Sequence, residues 1–252
     1  MPAYTQPIQP QPGKLKIVEL FETVQGEGHL AGVPSTFVRT GACNLECPGC
    51  DTVWDKWTET SFEEIAAKVR SHSSRHVVLT GGEPTMWQAG LAALMEMLPQ
   101  HHFTVETNGA VPLTVQKFKD SIDLWSFSPK VGSLGPDEMS PRQEETVLEN
   151  LALLRGRQVQ IKYVVDPDND AHINRVFEFQ FHVGLRAPYL LDTDIYFQPY
   201  DTETLVNIHH APGLDDVLQY LRRLTALTKV VAERSEGRFR VLPQLHKLLA
   251  WR

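Results

Sequence analysis

From Lys14 to Val24 the segment KLKIVELFETV alternates apolar and polar positions and predicts a strand, which QGEG then breaks. STFVRTGA (Ser35 to Ala42) predicts a second strand. In TSFEEIAAKVR the period changes to helical: Ser61 and Glu64 have capping-box spacing, and Phe62, Ile65 and Val69 share one face. HVVLT (His76 to Thr80) is a short β-branched strand running into GGEP, and Leu91, Leu94, Met95 and Leu98 mark the helix after it. HFTVETNG and DLWSFSPK predict strands that end in breaks. A helix from Glu144 to Arg155 turns Val147, Leu148, Leu151 and Leu154 inward. VQIKYVV (Val159 to Val165) is a strand, followed by a helix around His172 to His182 and a strand in IYFQPY (Ile195 to Tyr200). From Leu214 to Thr228, Leu214, Val217, Leu218, Leu221 and Leu224 recur at helical spacing and predict a core-facing stripe.

Strand and helix alternate throughout, which implies parallel strands joined by helical crossovers. No Gly/Ser linker or shift of composition divides the chain, so residues 14–252 are expected to form one α/β domain. The Pro- and Gln-rich residues 1–13 are expected to form a disordered leader. GACN, TGGEP, ETNG, SPK and QPYD each follow a predicted strand, and in barrel-type α/β folds sites are built on that edge. Trp54 and Trp57 are expected to pack around the GACN loop.

The composition, with 42% hydrophobic and 22% charged residues, is that of a soluble globular protein. A net charge of −7 argues against broad binding of nucleic-acid phosphates. No apolar run is long enough to cross a bilayer, and the N-terminus lacks the apolar core of a signal peptide, so a cytoplasmic location is expected. All three cysteines fall in GACNLECPGCD, as Cys43, Cys47 and Cys50. An odd count fits a disulfide scaffold poorly and a metal site or reactive thiol better. A structural zinc would need a distant fourth ligand. A four-iron cluster on three thiolates would instead leave one iron open to a substrate or cofactor.

C-x3-C-x2-C on a loop after the first barrel strand resembles the radical S-adenosylmethionine (SAM) superfamily. Within it, FETVQGEGHLAGVPSTFVRTGACNLECPGCDT is similar to the 7-carboxy-7-deazaguanine synthase family. The likeness continues in order through TGGEPTMWQ, ETNG, SPK, IKYVV, QPY and LPQLHKLL, from Val18 to Leu249. Two positions depart from the family pattern. Gly49 stands where relatives carry an aromatic residue, which changes packing at the SAM adenine and leaves the cluster ligands intact. The chain stops at LLAWR where relatives run on, so a substrate contact made by that tail is expected to be replaced.

The resemblance implies an open, partial (β/α) barrel in which Cys43, Cys47 and Cys50 hold a 4Fe-4S cluster. It directs Gly49, Cys50, Asp51, Gly81, Gly82, Glu83, Ser128, Pro129, Lys130, Gln198 and Pro199 to SAM. Glycines allow close approach to backbone, and Glu83 is a ready acceptor for an ammonium. Val24, Gln25, Gly26 and Glu27 are directed to a pterin substrate, whose guanidine-like edge a carboxylate matches with two parallel hydrogen bonds. Arg39 is expected to pair with the substrate carboxylate, Thr80 to face the substrate, and Thr52 to ligate Mg2+. His246, and Gln244 beside it, are candidates to reach the same site, a packed histidine being the alternative reading of His246.

The implied reaction is radical removal of hydrogen from C6 of 6-carboxy-5,6,7,8-tetrahydropterin. Ring contraction to 7-carboxy-7-deazaguanine, loss of ammonia and regeneration of SAM follow. A flavodoxin or ferredoxin as electron donor and a homodimer complete the expectation. The rivals are another radical SAM reaction, such as activation of a glycyl-radical enzyme, and a non-catalytic zinc module. VQGEG and CDT speak against the first, and metal analysis separates the second.

Overall fold

The computed structural model describes residues 6–8, 11–47, 50, 52–132, 139–200, 213–245 and 248. Its strands are β1 (Lys14–Val24), β2 (Pro34–Thr40), β3 (Thr58–Ser61), β4 (His76–Gly81), β5 (His102–Thr107), β6 (Leu124–Phe127), β7 (Gln158–Val165), β8 (Ile195–Pro199) and β9 (Arg240–Val241). Among the described residues they form one open sheet in the order β3-β1-β2-β4-β5-β6-β7-β8-β9. From β2 to β9 every pairing is parallel. The first two pairings depart from the expected regularity: β1 runs antiparallel to β2, and β3 antiparallel to β1. Only a short 3-10 turn, Gly28–Leu30, lies between β1 and β2, too little chain for a crossover that would make them parallel.

The helices are α1 (Phe62–Ser71), α2 (Gln88–Glu96), α3 (Gln116–Ser121), α4 (Pro141–Leu153), α5 (Asp170–Arg186) and α6 (Leu214–Ser235). The Ser61–Glu64 capping box forms and starts α1 at Phe62. The helix before β7 begins earlier than its apolar stripe suggests, because Ser140 and Gln143 make a second capping box and Pro141 occupies the first turn. Gln116–Ser121 is a helix the pattern did not predict, since Phe118 is its one buried side chain and six residues show no period.

The stripe expected in α6 is corrected by the structure. Leu214, Leu218 and Leu221 are 75%, 41% and 41% exposed. The residues buried against the sheet are Tyr220, Leu227, Val231 and Ser235. At about 100° per residue these four lie on one face, and Leu218 points away from it. One described residue of the N-terminal segment meets the body. Ile8 packs on the core, and its N–H donates to the Met86 carbonyl at 2.6 Å.

Alternate strand positions divide the sheet into two chemistries. Val77 and Leu79 of β4, Phe103 and Val105 of β5, Trp125 and Phe127 of β6, and Ile161 and Tyr163 of β7 belong to one apolar cluster with Ile65, Leu91, Val147, Leu151 and Val176 of the helices. Burying each such aliphatic side chain contributes roughly 1.5–3 kcal/mol. The opposite face carries Arg39, Thr80, Glu106, Ser126, Gln160, Lys162 and Gln198. On that face Lys162 of β7 reaches Glu106 of β5 across β6, so the sheet curls and the polar face is concave.

Candidate active site

The parallel run from β2 to β8 brings the ends of the motif-bearing strands to one edge, where the cysteine loop meets TGGEP. The Gly82 N–H donates to the Thr40 carbonyl at 3.1 Å, and the Glu83 N–H to the Ala42 carbonyl at 3.0 Å. A methyl group at Gly82 would overlap the Ala42 carbonyl and stand 2.9 Å from Cys43 Cβ. Gly81, at φ +143°, would meet the backbone of Thr40 in the same way. Ala42 itself adopts φ 68°, and Trp54 holds it through a carbonyl that accepts its N–H at 2.9 Å. Trp57 packs on Gly41 as expected.

Burial pushes the Cys43 thiol up to about 12, opposed by the Leu45 N–H that donates to its sulfur and reinforced by Glu83, Cys47 and Cys50 nearby. Cys47 is half-buried, Cys50 is exposed, and the Cys50 N–H donates to the Cys47 carbonyl at 3.3 Å. Among the described residues no three His, Cys, Asp or Glu side chains close to chelating distance. Gly49 and Asp51 lie outside the described residues.

Glu83 is held by donors from its own turn and from the next strand. Its carboxylate is fully buried and accepts from the Thr85 N–H and hydroxyl, the Thr107 hydroxyl at 2.7 Å and the Asn108 N–H at 2.8 Å. Burial raises its pKa against those donors. With these partners it ties the β4 edge to the β5 edge beside the cysteine loop. Asn108 extends the tie by donating to Asn44 Oδ1 at 2.8 Å, beside Cys43.

VQGEG starts at the far end of the strands, because β1 is antiparallel, and turns into the concave face. Gly28 makes this possible: it sits at φ +67°, and a side chain there would overlap Gln160. Gln25 Nε2 donates to Glu106 at 3.1 Å, and Lys162 Nζ lies 2.5 Å from both Glu27 and Glu106. The C-terminal segment closes over them. Gln244 Nε2 donates to Glu27 at 3.0 Å, and the Leu245 N–H donates to the Gly26 carbonyl at 3.2 Å. Val24 ends β1, paired with Pro34.

Arg39 and Thr80 are register neighbours on the same face. The Arg39 guanidinium bonds Glu19 at 2.7 Å and the Thr52 hydroxyl at 3.0 Å, so the expected carboxylate binder and magnesium ligand stand together. Lys130 donates to the Ser128 hydroxyl at 2.8 Å, next to buried Pro129. Gln198 is fully buried beside Pro199, with no partner among the described residues for either amide atom. His246 lies outside the described residues. Sequence reasoning missed Glu19, Glu106, Lys162 and the Asn44–Asn108 pair. The available signal was a charged residue set inside apolar strands, Glu106 after FTV and Lys162 within VQIKYVV.

The radical SAM superfamily model matches residues 37–179. A 7-carboxy-7-deazaguanine synthase of Rhodopirellula baltica is 33% identical over 203 residues, covering 74% of this chain and 76% of the relative. The chain belongs to the 7-carboxy-7-deazaguanine synthase family of radical SAM proteins. Relatives of that name from Halobacterium salinarum and Haemophilus influenzae are 45% and 44% identical over 62% and 45% of this chain. The matched stretch spans 66% of the first and about half, 52%, of the second. In fold the chain is similar to QueE from Escherichia coli, with a TM-score of 0.58 and 23% identity over 92% of this chain and 95% of that one.

Radical SAM proteins work with a 4Fe-4S cluster and SAM, and the residues present suit both groups. Three thiols share one loop, and Cys43 lies within electrostatic reach of Cys47 and Cys50. The glycine turn that packs on that loop leaves no room for side chains. Gln198 contributes an unsatisfied buried amide at the end of β8. Membership in this family leaves no place for the zinc-module reading.

Proposed function

We propose that the protein converts 6-carboxy-5,6,7,8-tetrahydropterin to 7-carboxy-7-deazaguanine and ammonia. The observation that carries the reading is the polar concave face, where Glu27, Glu106 and Lys162 form a buried cluster and Arg39 pairs with Glu19 on the same face. Substrate and product differ by the atoms of one ammonia, so the net change needs no oxidant. Cys43, Cys47 and Cys50 would hold the cluster. Gly49, Cys50, Asp51, Gly81, Gly82, Glu83, Ser128, Pro129, Lys130, Gln198 and Pro199 would hold SAM. Bound there, these groups supply radical hydrogen abstraction.

The protein's part is to bind and orient. Glu27 accepts from the amino-pyrimidinone edge, with Val24, Gln25 and Gly26 shaping that end and His246 at the C-terminal side. Arg39 takes the substrate carboxylate beside Thr80, and Thr52 ligates Mg2+ next to it. A bidentate guanidinium fixes the carboxylate in both position and angle. The same reading includes a flavodoxin or ferredoxin donor, a homodimer to which the exposed α6 leucines offer an apolar face, and a cytoplasmic location.

The test is an anaerobic reaction of reconstituted protein, dithionite, SAM, Mg2+ and 6-carboxytetrahydropterin, read by mass spectrometry. Carboxydeazaguanine that forms only with SAM is the expected result. Cleaved SAM without that product overturns the substrate assignment, and neither product with an intact cluster overturns the reading as a whole.

A further inference from the structure

The Lys162 ammonium is 4% exposed and sits between Glu27 and Glu106, 14% and 16% exposed, at 2.5 Å from an oxygen of each. Those two oxygens are therefore no more than about 5 Å apart. The remaining oxygens are also engaged: Gln244 donates to Glu27 Oε1 and Gln25 to Glu106 Oε1. Burial lowers the lysine's pKa, but Glu106 and then Glu27 more than reverse this, and it stands above the ordinary value. Without the cation, two carboxylates this close in a low-dielectric site share a proton.

The neighbouring charges are committed to one another. Arg39 of β2 pairs with Glu19 of β1. His29 of the 3-10 turn pairs with Asp194 at 3.2 Å. Tyr196, next in register on β8, accepts from Arg240 of β9, and the Tyr220 hydroxyl of α6 accepts the Gln244 N–H. Among the described residues, Lys162 bonds both carboxylates.

We infer that Lys162 is a positioning residue of the substrate subsite, holding Glu27 and Glu106 at fixed separation with both charged, so that Glu27 meets the pterin edge as a carboxylate. The inference rests on the pterin reading above. It assigns Lys162 no contact with substrate; the ammonium acts through Glu27.

The test is equilibrium binding of 6-carboxypterin, a fluorescent analogue with the same edge and carboxylate, to the reconstituted holoenzyme from about pH 6 to about pH 8.5. Iron content and circular dichroism serve as fold controls. The wild type and Lys162→Arg should bind with affinity flat across this range. Lys162→Met should bind about tenfold more weakly at the acid end, and the gap should close as the shared proton leaves. The double variant Glu106→Gln/Lys162→Met should lose this slope, because Glu27 then has no carboxylate to share a proton with. It carries the comparison if the single Met variant does not fold.

Met and wild-type curves that coincide, or that differ by one factor at every pH, overturn the role of Lys162, as does a slope in the Arg or double variant. A wild type that binds no 6-carboxypterin overturns the pterin reading itself and this inference with it. The two failures are thus told apart by the wild-type curve.

Discussion

Gly82 shows how narrow the tolerance is where two strand ends meet. The Ala42 carbonyl that a Cβ would overlap is backbone, already fixed by the Glu83 N–H, and has no rotamer by which to give way. Gly82→Ala is therefore expected to push the cysteine loop off TGGEP. Iron and acid-labile sulfide after reconstitution should fall, and SAM affinity by equilibrium dialysis should drop about tenfold or more. Gly184 in α5 is the control, since nothing lies within 4 Å of the position its Cβ would take. Gly184→Ala should leave iron content unchanged and stabilise the protein by about 0.5–1 kcal/mol. Unchanged iron and SAM binding in Gly82→Ala would refute the close-packed turn. The need for glycine in TGGEP was legible in the sequence as a place of close backbone approach. The destination of Glu83 was not, because its partners Thr107 and Asn108 come from the next strand.

At the level of elements, spacing identified helices better than it identified their buried faces. The Ser61–Glu64 box and the stripes of α1, α2 and α4 formed as read, each being a local pattern. In α6 three of the five regularly spaced apolar residues, Leu214, Leu218 and Leu221, are exposed, because the helix runs on to Ser235 and touches the sheet through Tyr220, Leu227 and Val231. Leu227→Ala should cost about 2–5 kcal/mol in urea unfolding, the usual range for a buried leucine. Leu218→Ala, at 41% exposure, should stay within about 0.5 kcal/mol of wild type. Equal losses at the two positions would return the buried face to the sequence-based stripe. The antiparallel start of the sheet was hidden for a different reason: β3 is four residues long and pairs with β1 only after the whole cysteine loop has returned.

Across the whole molecule, the concave face concentrates polar groups in a barrel whose convex side is apolar, and this has a cost in acid. His76 begins β4 on the concave side, hydrogen-bonded through Nδ1 to Ser35 at 2.6 Å and through Nε2 to Thr104 at 2.8 Å. Burial, with the charge of His102 adding to it, lowers its pKa to about 4. Folding thus disfavours the imidazolium that an unfolded chain forms below about pH 6.5. The stability this histidine contributes is present above that value and lost as pH falls toward 4, where the loss levels off. By linkage the deficit at pH 5 is about 2 kcal/mol. His76→Gln gives up two hydrogen bonds and should be less stable than wild type at pH 7, by about 1–2 kcal/mol. It carries no proton penalty, however, so the gap in urea-unfolding free energy should narrow by about 2 kcal/mol between pH 7 and pH 5. A gap that stays constant would mean that His76 is solvated enough to charge without strain. The polar layer at the start of the strands would then not be sealed from water.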